Sequence, residues 1–74
     1  MNSAATAHTG TLHPFQYGCR YRPFHGGDVA AAEAAGISVQ IVPASETPAD
    51  FHYIIRTAKA LPRDLRDHFD LELA

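Results

Sequence analysis

Phe15, Tyr17, Cys19 and Tyr21 fall on one side of the chain at period two, and Gln16, Gly18, Arg20 and Arg22 on the other. Alternation of this kind predicts a β-strand with one buried and one wet face, opened by Pro14 and ended by Pro23. Phe24-His25-Gly26-Gly27 reads as a loop, and Asp28 as the N-cap of a helix running through Val29 to Ala35. The alanines favour that helix, and Gly36 stands where a C′ residue would stop it. Two turns do not hold themselves together in water, so packing must hold them.

Ile37-Ser38-Val39-Gln40-Ile41-Val42 alternates again, with Ile37, Val39 and Ile41 facing one way. Pro43 to Asp50 has the prolines and polar residues of a connecting loop. Phe51 to Ala58 is a third β-type segment, predicted to point Phe51, Tyr53 and Ile55 inward and His52, Ile54 and Arg56 outward. Leu61-Pro62 opens a short helix whose apolar stripe is Leu61, Leu65 and Phe69. Arg63 with Asp67, and Asp64 with His68, are spaced to pair along it. Phe69, Leu71 and Leu73 alternate, which places a short final strand in the last five residues.

The resulting order, β-α-β-β-α-β, is that of a small α+β split βαβ (ferredoxin-like) sandwich. A three-stranded antiparallel sheet packed by one or two short helices is the alternative. In the ferredoxin-like order the first and third strands lie side by side at the sheet centre. Residues 1–13 contain Leu12 as their one large apolar residue after Met1 and read as a flexible tail. Residues 14–74 then form a single small domain.

Composition modifies this picture. A chain of 74 residues has a core only just large enough, and the 46% hydrophobic content overstates it because thirteen residues are alanine. A thin core favours burying further surface in a homodimer. The net charge of −2 and pI near 6.1 argue against a general polyanion binder. A single cysteine forms no internal disulfide, no apolar run reaches membrane-span length, and the N-terminus does not read as a signal peptide. The expectation is a cytoplasmic protein with no membrane partner. Its alanine-rich, lysine-poor composition has a bacterial character.

Candidate chemistry thins out on inspection. His13, Cys19 and His25 are spaced six apart, unlike the close ligand pairs of a metal site. Cys19 sits among aromatic residues, with Arg20 and Arg22 alternating to the opposite face, so it reads as a core thiol rather than a nucleophile. His25-Gly26-Gly27-Asp28 looks superficially like an esterase oxyanion loop, without the nucleophile elbow such enzymes need. An enzyme is not expected, and no metal or cofactor is implied.

Binding surfaces are better represented. Arg20, Arg22, His52 and Arg56 would share the outer sheet face, and net charge is locally +2 over residues 14–27 and again over 51–60. That pattern suits phosphate contacts more than base reading, because the aromatics lie on the other face. Tyr17, Tyr21, Phe24 and Tyr53, together with the arginines, have the composition of a protein interface. Exposed edge strands offer a further means of adding a partner.

Two segments, YGCRYRPF at Tyr17 to Phe24 and TAKALPRDLRDHFDLEL at Thr57 to Leu73, resemble parts of small uncharacterised α+β domains of proteobacterial chromosomes, plasmids and phages. The resemblance covers about a third of the chain. It implies a bacterial or mobile-element origin and no activity. The function expected from the sequence is a small protein-interaction module, possible as a homodimer. A nucleic-acid-contacting module using the basic sheet face is the alternative.

Overall fold

The two best alternating runs supply strands to the centre and one edge of a single sheet. In the structure, a computed structural model that describes residues 12–74, β1 spans Phe15–Cys19, α1 Gly27–Ala34 and β2 Val39–Ile41. β3 spans Tyr53–Thr57, α2 Arg63–His68 and β4 Leu71–Leu73. β1 and β3 pair antiparallel at the centre, with Phe15 opposite Thr57 and Cys19 opposite Tyr53. β2 adds to β3 and β4 to β1, both antiparallel, giving the order β2-β3-β1-β4. This is a small α+β domain in the split βαβ arrangement, and its fourth strand displaces the three-stranded alternative.

The helix side of the sheet carries the main core. Tyr17, Cys19, Tyr53, Ile55 and Leu71 pack with Ala32 of α1 and with Ile37 and Leu61 from the connections. Ala32 is fully buried, and its methyl group lets the α1 backbone come close to the strands. α1 stops where Gly36 takes a φ of 81°, with the Gly36 and Ile37 amides donating to the Glu33 and Ala32 carbonyls. This is the C′ geometry expected of Gly36, and a left-handed residue there suits glycine.

Several boundaries and facings differ from the sequence expectation. β1 ends at Cys19 rather than Arg22, and β3 begins at Tyr53 rather than Phe51. Phe51 lies before β3 and escapes its parity, so its ring is not in the main core. The ring covers Gly18 on the far side of the sheet, where a Cβ would come within 2.4 Å of it. Ile54, predicted to be wet, is buried, as is Val42, whose amide donates to the Ile54 carbonyl. The outer face therefore has its own small apolar layer beneath the connection from β2 to β3, which includes a 3-10 turn at Ala44–Glu46. Ile41 keeps the facing expected of it with Ile37 and Val39, opposite core Ile55, but is 50% exposed because β2 is an edge strand.

Most of the expected tail, residues 1–13, lies outside the described residues. His13 shares a 3.0 Å hydrogen bond with the Ser38 hydroxyl. Among the described residues, no helix is long and apolar enough to cross a membrane.

Close approach at Gly18 should be felt in stability. Gly18→Ala is expected to lower the unfolding free energy by about 1–3 kcal/mol in urea denaturation. The same substitution should cost less in a Phe51→Ala background, where the ring it strikes is gone.

Candidate functional site

The four residues expected to form a cationic sheet face do not act as one. Arg20 and Arg56 lie on the outer face. Arg20 is bracketed by Glu72, which accepts a hydrogen bond from its Nε, and by Asp50 at 3.6 Å, while its guanidinium carbon sits 4.2 Å from the centre of the Phe51 ring. The hydrogen bond to Glu72, with the charges of Glu72 and Asp50, holds the guanidinium above its ordinary pKa. Arg56 donates from Nε to the Gln16 side-chain oxygen at 2.9 Å. His52 is exposed, and its amide extends the β1–β3 ladder by donating to the Cys19 carbonyl.

Arg22 leaves the sheet altogether. It donates to the carbonyl of His68, the last residue of α2, and lies 3.4 Å from the Asp70 carboxylate. A cation at this end also suits the helix dipole. Asp70 itself has a φ of 55°, the left-handed conformation that lets the chain turn from α2 into β4. Arg22 thus ties the segment after β1 to the α2–β4 turn.

The four aromatic residues expected at an interface divide in two. Tyr17 and Tyr53 are core residues with their hydroxyls bonded inside the protein. Tyr21 is 73% exposed, and Phe24 is partly exposed with its ring edge-on to Tyr53 at 5.2 Å. The Tyr17 hydroxyl accepts the Leu61 amide proton, fixing the entry to α2. The Tyr53 hydroxyl donates to Asp28 at 2.5 Å, fixing the first turn of α1.

Asp28 is therefore not the helix cap that its position suggests. Gly26, with a φ of 86°, occupies the N-cap position, and the Gly27 amide is met by His25 Nδ1 at 3.1 Å. Asp28 stands inside the first turn, 1% exposed, accepting from the Val29 amide and the Tyr53 hydroxyl. Cys19, fully buried and directly across the β1–β3 ladder from Tyr53, completes an enclosed polar cluster. The burial of Cys19 is legible in the sequence, and the role of Asp28 is not, because its partner lies 25 positions away.

The two sheet edges differ in chemistry. The Val42 amide donates to Ile54, and the Ala58 amide donates to the Ser38 carbonyl. Antiparallel alternation then turns the N–H and C=O groups of Val39 and Ile41 toward the open side of β2. No residue from Ile37 to Val42 is charged, and Ile41 is half exposed beside those groups. Natural edge strands are usually blunted by charge, proline or a bulge. β4 follows that rule, with Asp70 before it and Glu72 at its centre. The run of uncharged alternating residues at 37–42 was the sequence signal for an unblunted edge, and the ferredoxin-like order, with the first and third strands central, already put β2 outermost.

A second surface feature is an open groove of about 520 Å³ between the helices, lined by Ala31, Pro62, Asp64, Leu65, His68 and Phe69. Among the described residues, no three His, Cys, Asp or Glu side chains converge to hold a metal ion. Comparison with known proteins finds no matching family model, no matching curated protein and no matching solved structure.

The Tyr53–Asp28 contact has a pH signature. Burial, followed by the Asp28 hydrogen bond and charge and by Cys19, raises the Tyr53 pKa above the ordinary 10.0. The folded state thus favours the protonated phenol. The stability this contributes is complete below pH 10.0 and falls as pH rises beyond it. Tyr53→Phe should cost about 1–3 kcal/mol near neutrality by leaving Asp28 short of a partner. It should also flatten the alkaline fall in stability, measured by denaturation at a series of pH values.

Proposed function

We propose that this domain is a protein-interaction module that takes a partner strand along β2, in a binding rather than a catalytic role. The observation carrying this reading is the outer side of β2, where, among the described residues, the backbone groups of Val39 and Ile41 have no partner and stand beside an exposed isoleucine with no charge in β2 to repel a partner. Main-chain hydrogen bonds supply affinity in strand addition, and alternate side chains supply selectivity. Here the alternate positions are Val39 and Ile41 on the helix side and Gln40 on the outer side.

Two further features support binding at this edge. Arg20, Arg22 and Arg56 are engaged within the chain, which favours strand addition over phosphate contact. Cys19, Asp28 and Tyr53, the reactive side chains that do come together, are enclosed. A bacterial cytoplasmic setting belongs to the same reading and rests on the alanine-rich, lysine-poor composition and the single cysteine.

Extended peptides with alternating apolar and polar residues, selected by display against the immobilised domain, should shift the amide resonances of Val39 and Ile41 first. Ile41→Lys should weaken them by about tenfold or more, equivalent to ~1.4 kcal/mol. Ligands that instead map to Arg20 and Arg56, or nucleic acid bound at low salt and released at physiological salt, would overturn the proposal.

A further inference from the structure

We infer that the partner strand is β2 of a second copy of this chain, joined across a two-fold axis at Gln40. The inference rests on the strand-addition reading and adds the identity of the partner. In an antiparallel pair centred there, Val39 stands opposite Ile41 of the other copy on both sides of the axis. Their outward N–H and C=O groups form hydrogen-bonded pairs that satisfy both residues of both copies. Centring on Val39 or Ile41 instead would leave some of those groups unmatched. Shifting by one residue would turn apolar side chains to the wrong face.

The side chains match themselves in this register. On the helix side, each half-exposed Ile41 packs against a Val39, extending the apolar row that runs into Ile55 and Thr57. On the outer side Gln40 meets Gln40, and each amide can both donate and accept. Arg56 is the register partner of Gln40, so the two copies of Arg56 stand three strand spacings apart. That separation is about 14 Å against a physiological screening length of about 8 Å, so their repulsion is slight.

β4 lacks this self-complementarity. The Ala74 amide donates to the Gln16 carbonyl, so Leu71 and Leu73 turn their backbone groups outward. Joining β4 to its copy about the strand centre would put Glu72 opposite Glu72, and like charges directly opposite are unfavourable. The contrast between a neutral and an acidic central residue selects β2. The axis stands perpendicular to the sheet, so both helix layers lie on one side. α1, which packs against β2, borders the axis; its exposed residues are Ala30, Ala34 and the longer Glu33.

Three paired residues per copy make a small interface, so the dimer is expected to be weak, with a Kd in the micromolar-to-millimolar range. Sedimentation equilibrium over a concentration series should show mass rising from monomer toward dimer. Gln40→Lys, which places like charges face to face on the axis, should abolish that rise, while Leu73→Lys on the opposite edge should leave it unchanged. A wild-type chain that stays monomeric up to about 1 mM, the weak end of that range, overturns the inference. So does self-association lost in Leu73→Lys and kept in Gln40→Lys. Monomeric behaviour accompanied by peptide-induced shifts at Val39 and Ile41 overturns the dimer alone and leaves the interaction role standing.

Discussion

The hydrogen bond from the Tyr53 hydroxyl to Asp28 joins the central sheet to a helix that could not stand alone. α1 has eight residues and α2 six, both below the length at which helices persist in water. Tyr53 reaches from β3 to the first turn of α1, and Tyr17 reaches from β1 to the entry of α2. Each central strand thus spends a large aromatic residue twice, its ring in the core and its hydroxyl on a helix start. Asp28 also sits at the positive end of the α1 dipole, which favours a carboxylate there. A chain of this size has a net stability of roughly 4–11 kcal/mol, so one buried polar contact of this kind is a sizeable share.

Charge on the other side of the sheet works as bracing. Glu72 on β4 and Asp50 before β3 meet on Arg20 at the end of β1, with Phe51 pressed between the guanidinium and the sheet. Gly18 leaves the space for that ring. Arg22 performs a similar task at the α2–β4 turn through His68 and Asp70. The basic segment around β1 thus finds its counterions in residues that follow much later in sequence.

The sequence was most legible where information is local. Period-two runs placed all four strands, Gly36 announced the end of α1, and the buried side of β1 followed from Tyr17 and Cys19. Element order then implied the central pairing of β1 with β3, which the register bears out. Reading failed where a side chain's role is set by a distant partner. Asp28 has the right type and position for a cap, and only Tyr53 across the core turns it into a buried acceptor. Phe51 continues the parity of β3 on paper, but the strand begins two residues later and the backbone bends first. Arg20 and Arg22 alternate neatly with the buried residues, yet their acids are 52 and 48 positions away in Glu72 and Asp70. The outer face was expected to be uniformly wet, and Ile54 with Val42 shows that a connecting loop can dry one end of it.

The acidic character of β4 has a consequence for how large any assembly can become. A sheet with two receptive edges can be extended indefinitely, since every added copy offers a fresh template. Asp70 and Glu72 withhold that template on one side. Any growth begun at β2 would meet a carboxylate-bearing strand at the far end of each copy, which disfavours propagation as a fibre.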